Sequence, residues 1–369
     1  MSHVLLRADA GRATGVGHVM RCLAIAESAR ERGDTVAMSG SVDDVGWLSD
    51  LLADNQIEML EPAADAEAVV ELGARTGSDA IVVDHYRLSG DLSGSPIPVA
   101  SLVDGNFGAR PADLLVDAGL AAGAPLASSA DLRGPRFAPV RASVRAARER
   151  RAQRTAVDPT PWTHRPAKIL LVLGGTDPLG LTHLLAHALS HLPQPAMVTA
   201  VVAPGSMWAD QKWADQNLAV GWQTAKEAAR WDVRDGLRLV APGPQLPALL
   251  ADADIVVSAA GTTSHELCHI GVPSAIVCVA ENQRRGYDAL VSHDVVIGLG
   301  DAADVSADPS AVTAGVGALL ADPDRYERIS VTASQLVDGF GGQRILGALG
   351  ELGGHDLAET TRTRRQESR

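Results

Sequence analysis

The first half of the chain sets a histidine where acid–base chemistry is expected. Gly15-Val16-Gly17-His18 follows a short apolar run at 3–7. It opens a helical pattern over 19–32, in which Met20, Leu23, Ala24 and Ala29 recur at helical spacing. Glycines let the backbone approach a ligand, and a helix N-terminus favours an anion while opposing a second positive charge. On that reading His18 is neutral, and a neutral imidazole facing a cleft serves as a general base. The competing reading is a capping or structurally satisfied histidine. Asp9 and Asp84 end apolar runs, where either can orient His18, bind a hydroxyl or cap a turn.

Two loops in the second half offer backbone amides to an anion. Gly174-Gly175-Thr176-Asp177 follows the apolar run 168–173, where glycines either admit a diphosphate or simply turn the chain. Gly261-Thr262-Thr263-Ser264 follows the run 255–258 and opens a helix over 263–270. Free amides and hydroxyls at such a start suit a phosphate. Glu266 lies about one turn in, where a carboxylate can accept from two vicinal hydroxyls such as a ribose; otherwise it is an ordinary acidic residue in a first turn. Asn282 and Gln283 follow the next run, 275–279, where a sugar could be read. Neither the dinucleotide nor the Walker fingerprint is present.

The elements that would position these loops alternate between strand and helix. Apolar runs at 3–7, 35–38, 80–84, 99–103 and 114–117 read as strands of a first sheet, with a second helix over 45–54. Runs at 168–173, 198–203, 237–240, 255–258 and 275–279 read as a second sheet, with helices over 181–191, 245–250, 263–270, 283–292 and a closing one over 326–337. Continuous apolar runs suit parallel strands covered on both faces. The fold class is therefore α/β, two doubly wound, Rossmann-like parallel-sheet domains. The boundaries fall at 1–145, a linker at 146–166, a second domain at 167–341 and an extension at 342–369 with a polar, disordered end. The basic stretch from about 141 reads as a solvated helix running into a Pro-rich linker.

Composition excludes other classes. The 369 residues carry 32 Lys and Arg against 45 Asp and Glu, a net charge of −13, and only 3% aromatic residues. Such a chain suits neither non-specific nucleic-acid binding nor an anionic membrane. Cys22, Cys268 and Cys278 form no metal or disulfide spacing and read as buried thiols of a cytoplasmic protein. No run approaches the ~18 apolar residues of a spanning helix.

Several segments resemble known nucleotide-sugar enzymes. GTTSHELCHIGVPSAIVCVAENQ (261–283) resembles the nucleotide-binding segment of GT-B glycosyltransferases, including the lipid II-forming N-acetylglucosaminyltransferase. RADAGRATGVGHVMRCLAIAESARERG (7–33) is more similar to the UDP-2,4-diacetamido-2,4,6-trideoxy-L-altropyranose hydrolase of pseudaminic-acid synthesis, also labelled spore-coat polysaccharide synthesis proteins. VVDHY (82–86), SLVDG (101–105), RPADLLVD (110–117), GPRFAPVR (134–141) and GGTDP (174–178) match in the same order, so the resemblance spans most of 4–341.

The resemblance implies a GT-B architecture with an interdomain cleft, UDP on the C-terminal domain, and no metal or other cofactor. His18 is the implied catalytic residue, with Asp9 or Asp84 assisting it. Gly17, Gly174, Gly175, Thr176, Gly261, Thr262, Thr263, Ser264 and Glu266 would hold the nucleotide. Arg21, Tyr86, Asp104, Asn282 and Gln283 are the expected sugar contacts. The expected reaction cleaves the anomeric C–O bond of a UDP-sugar, first as a hydrolase releasing sugar and UDP. The alternative is a glycosyltransferase acting on a small acceptor, whether a sugar, a nucleobase or an antibiotic precursor. A 2-epimerase and a non-catalytic nucleotide-sugar binding module are further rivals. One departure stands out: Asp104-Gly105-Asn106-Phe107 replaces the paired aspartates and basic residue common among relatives.

Overall fold

A computed structural model describes residues 2–12, 14–120, 131–203 and 236–366. The chain divides into two compact units. One comprises Met1–Gly11, His18–Ala142 and Gly339–Arg369; the other comprises Arg12–Gly17 and Ser143–Asp338.

The first unit contains β1 (His3–Arg7), β2 (Ala10–Gly11), α1 (Gly17–Glu31, its first residue counted with the other unit), β3 (Thr35–Ser39), β4 (Val42–Asp43), α2 (Gly46–Asp54) and β5 (Glu58–Leu60). It continues through α3 (Ala66–Thr76), β6 (Ala80–Val83), β7 (Val99–Leu102), β8 (Leu114–Asp117) and β9 (Asp131–Arg133). Its main sheet is parallel, in the order β5-β3-β1-β6-β7-β8-β9. Leu5, Ile81, Val83 and Val99 form one core with Val69 and Leu72 of α3. Because both faces are covered, these strands are apolar without alternation. Helix α1 is buried nearly all round, down to Cys22, Ala24, Ser28 and Ala29.

The second unit runs from α4 (Ala142–Val157, its first residue counted with the other unit) through β10 (Ala167–Val172), α5 (Thr182–Leu189), β11 (Ala196–Val201), β12 (Leu237–Val240), α6 (Leu246–Asp252), β13 (Ile255–Ala259) and α7 (Thr263–Ile270). Then come β14 (Ser274–Cys278), α8 (Glu281–Ser292), β15 (Ile297–Asp301), α9 (Ala302–Ala307), α10 (Ser310–Ala321) and α11 (Pro323–Leu336). Its sheet is also parallel, in the order β12-β11-β10-β13-β14-β15. Leu171, Val198, Val257 and Val277 share one core with Leu185 of α5 and Leu319 of α10.

Two expectations need correction. The basic helix is α4, and it is not solvated all round. Val144, Ala147 and Arg151 are buried, and Arg151 donates to Ala253 O at 2.6 Å, Gly271 O at 3.3 Å and Tyr326 Oη at 2.9 Å. Arg148 donates to His269 O and Ser334 O, carbonyls at the ends of α7 and α11. Helix ends carry unpaired carbonyls and the negative end of the dipole, so arginines are drawn there. Trp162, in the Pro-rich stretch, packs on the same unit's core and donates to Leu320 O at 3.1 Å.

The chain also does not close on the helix expected over 326–337. It ends on α12 (Gly341–Gln366), which takes in most of the tail expected to be disordered; residues 367–369 lie outside the described residues. Glycines lower helix propensity, but Ile345, Leu346 and Leu349 are buried and packing prevails. A Cβ at Gly342 would fall 2.5 Å from Ser28 Oγ, so the glycine is what lets α12 approach α1. The three cysteines are buried free thiols. Among the described residues no helix is long and apolar enough to cross a membrane.

Candidate active site

In each sheet the chain reverses direction of travel beside its first strand, and ligands of such sheets bind beyond the carboxyl ends at that switch point. In the first unit the switch lies between β1 and its neighbours β3 and β6. Asp84 immediately follows β6, Asp104 follows β7 by two residues, and His18 sits in the first turn of α1. Parallel strands bring all three to one edge.

His18 Nδ1 lies 2.6 Å from Asp84 Oδ1, and Asp84 is fully buried. Burial alone would raise the Asp84 carboxyl, but the Arg21 guanidinium and His18 outweigh it and hold it below its ordinary value. An ionised carboxylate only accepts, so Nδ1 carries a proton and Nε2 is the nitrogen left to accept one. The ring also meets Arg21 Nη2, 3.3 Å from Nδ1, and Tyr86, edge to face at 4.3 Å between centroids.

Arg21, one turn further along α1, is buried. Its Nε and Nη2 donate to the two oxygens of Asp84, each at 2.7 Å, and its Nη1 donates to Asp104 Oδ1 at 2.8 Å. The Tyr86 hydroxyl donates to the other Asp104 oxygen. Burial opposes ionisation of Asp104, yet Arg21 and Tyr86 hold its carboxyl down at about 2. Two carboxylates against one guanidinium leave a single negative charge beside the imidazole.

Asp9 is not part of this cluster. It is chelated by Arg7, with Nη1 at 2.5 Å and Nη2 at 2.9 Å, and accepts from Ser41 N at 2.9 Å. His85 Nε2 lies 2.9 Å from its Oδ2. Because Arg87 N donates to His85 Nδ1, the proton sits on Nε2 and points at Asp9. Burial notwithstanding, His85 and Arg7 keep the Asp9 carboxyl well below its ordinary value. Asp84, not Asp9, is the aspartate that orients His18.

In the second unit the switch lies between β10 and its neighbours β11 and β13. Gly174, Gly175 and Thr176 turn the chain after β10, with Gly174 at φ 86°. Asp177 then accepts from Leu181 N at 3.1 Å and Thr182 N at 3.0 Å, so the start of α5 is already capped from within. The start of α7 differs: Thr262 makes no side-chain cap. Ser264 is 5% exposed and its Oγ has no hydrogen-bond partner. An orphan buried hydroxyl at a helix start without a side-chain cap is an arrangement that suits an anion.

Around that helix start, Gly17 packs against Thr262, where a Cβ would lie 3.1 Å from Oγ1. A Cβ at Gly261 would lie 3.4 Å from Gln283 Nε2, and Gln283 Oε1 accepts from Val279 N at 3.1 Å. Thr263 opens α7, Glu266 stands half-buried in its first turn, and Asn282 stands half-buried at the start of α8. The structure thus gathers His18, Arg21, Asp84, Tyr86 and Asp104 in one unit, and the glycine loops, Ser264, Glu266, Asn282 and Gln283 in the other. Sequence reasoning missed Arg7 and His85; the His85 signal lay in the DHY triplet after β6.

No protein-family model matches the chain, and no curated protein matches it. Solved structures do. MurG of Acinetobacter baumannii aligns over 95% of this chain and 100% of its own, at 17% identity and a TM-score of 0.61. The glycosyltransferase VinC in complex with dTDP aligns over 96% and 100%, at 14% identity and a TM-score of 0.59. UDP-GlcNAc 2-epimerase of Neisseria meningitidis, bound to UDP-GlcNAc, aligns over 95% and 100%, at 12% identity and a TM-score of 0.57. These likenesses extend to GT-B glycosyltransferases in general and do not single out the pseudaminic-acid hydrolase. The chain has the GT-B fold, two Rossmann-like α/β units.

Proposed function

We propose that the protein is a glycosyltransferase that takes a sugar from a nucleoside diphosphate, UDP in the first instance, to a small acceptor. The observation that carries this reading is the hydrogen bond from His18 to buried Asp84. It fixes the tautomer of a base, as transfer to a nucleophile requires. The acceptor's proton passes to His18 Nε2 as its oxygen or nitrogen bonds to the anomeric carbon. The C–O bond to the diphosphate breaks, and its electron pair leaves with the phosphate oxygen. The start of α7, with Ser264 Oγ and the amides of Thr262 and Thr263, would take that charge as an oxyanion site does. Glu266 would hold the ribose. The reading needs no metal, and turnover in EDTA is expected to be undiminished.

Hydrolysis is the second reading, favoured by the match over 7–33; it uses the same base with water as acceptor. The solved relatives include several glycosyltransferases and tip the balance toward transfer. The test is incubation with a panel of UDP- and dTDP-sugars, with and without acceptors, followed by mass spectrometry. Nucleotide release that requires an acceptor, with a product of sugar plus acceptor mass, supports transfer. Free sugar formed equally without acceptor establishes the hydrolase. Release that is unaffected by His18→Ala removes the histidine from either reaction.

A further inference from the structure

The departure at 104–107 is built, not loose. Asp104 N donates to Phe107 O at 3.0 Å and Phe107 N donates to Asp104 O at 3.2 Å, closing a two-residue turn. Gly105 stands in its first central position at φ 65°, a conformation that side chains rarely adopt. The next residue, Gly108, lies so close to Tyr86 that a Cβ there would be 3.2 Å from the ring. The turn is thereby pinned to the same tyrosine that touches His18.

That turn holds an aromatic ring in the open. Phe107 is 39% exposed. Its ring lies 5.8 Å from that of Tyr86, tilted by 53°, and Tyr86 lies 4.3 Å from His18. Three rings run in sequence from the base outward, in a chain that is only 3% aromatic. An exposed phenylalanine offers no hydrogen bond; it rewards a flat apolar face laid against it. The charge beside it is also selective. With neutral His18, the cluster of Asp84, Arg21 and Asp104 carries a net negative charge, which repels an anionic acceptor.

We propose that Phe107 and Tyr86 form the acceptor subsite, and that the acceptor is an uncharged planar ring carrying an N–H or O–H nucleophile. This rests on the transferase reading. The ring lies against Phe107 with its nucleophile toward His18. Its N–H or O–H proton goes to Nε2, its nitrogen or oxygen bonds to the anomeric carbon, and the diphosphate leaves with the electrons of the broken C–O bond.

The test is binding without donor. Uracil, phenol, methyl glucoside and glucose 6-phosphate are titrated into the full-length protein by saturation-transfer NMR. Uracil or phenol is expected to bind, glucose 6-phosphate is not. Phe107→Ala is expected to weaken ring binding by about three- to tenfold, the range of one aromatic pair, while Phe107→Tyr retains it. Ring affinity unchanged in Phe107→Ala, no binding of either ring, or tighter binding of either sugar overturns the proposal. Donor turnover separates the two readings. Transfer onto methyl glucoside without ring binding removes the subsite and keeps the transferase. Ring binding lost in Phe107→Ala, with no transfer from any donor, removes the transferase and keeps the ring-stacking surface.

Discussion

His18 and Asp84 are 66 positions apart and meet at 2.6 Å. One lies in the first turn of α1, the other immediately follows β6, the strand beside β1, so strand order brings the pair together. Asp84→Asn keeps the shape but replaces an acceptor-only group by an amide that can donate to Nδ1. The proton would then sit on Nε2, the wrong nitrogen for a base. Turnover is expected to fall by about 10²- to 10⁴-fold, with nucleotide affinity little changed. Steady-state kinetics alongside calorimetry with UDP checks this; an equal loss in both measurements would mean that the variant has misfolded.

The α7 start gives a separate prediction on binding. Ser264 Oγ has no partner in the described structure, so Ser264→Ala removes no folding interaction. Thermal unfolding should be unchanged, while diphosphate affinity falls by about 1.5–3 kcal/mol, the range for a hydrogen bond to a charged group. Glu266→Ala should weaken UDP by a similar amount but leave inorganic pyrophosphate unaffected, because a ribose contact is absent from that ligand. Calorimetry with the two ligands separates these roles.

The sheets were legible because buried parallel strands are written as unbroken apolar runs: 3–7 and 114–117 match β1 and β8 in full. Helices α3 and α12 were not foreseen, because Gly73 and the glycines of 341–354 mask helical periodicity. At the site, loops after strands identified His18 and Asp84. What could not be read was which partner each polar group would choose. Asp9 and Asp84 look alike in sequence, and only β-register sends Asp9 to Arg7 and His85. The basic residues of α4 looked solvated because their acceptors are carbonyls more than a hundred positions away.

Acid should act through Asp104. Its carboxyl is held at about 2 in the folded protein, against about 3.9 in an unfolded chain. The unfolded state therefore binds more protons between those values. The stability that Asp104 contributes is full above about pH 4 and is lost as pH falls toward 2. Asp84 and Asp9 are shifted in the same direction and add to the slope. Urea midpoints measured across this range should fall with acid, and the gap between wild type and Asp104→Asn should narrow. A gap that stays constant with pH would show that Asp104 is not held ionised by folding.

Arg21 was expected as a sugar contact, and its hydrogen bonds instead make it a strut. It is 6% exposed and bridges Asp84 and Asp104 with three donors. Arg21→Met leaves both carboxylates without their cation, and loss of one partner from a buried ion pair costs about 3–5 kcal/mol. A sugar contact would behave differently, raising KM with stability intact. Arg21→Lys discriminates further: one ammonium cannot span both carboxylates as the planar guanidinium does, so rescue should be partial. Chemical unfolding of both variants, with KM for the donor in Arg21→Lys, tests the strut. Unchanged stability with a raised KM would return Arg21 to the sugar.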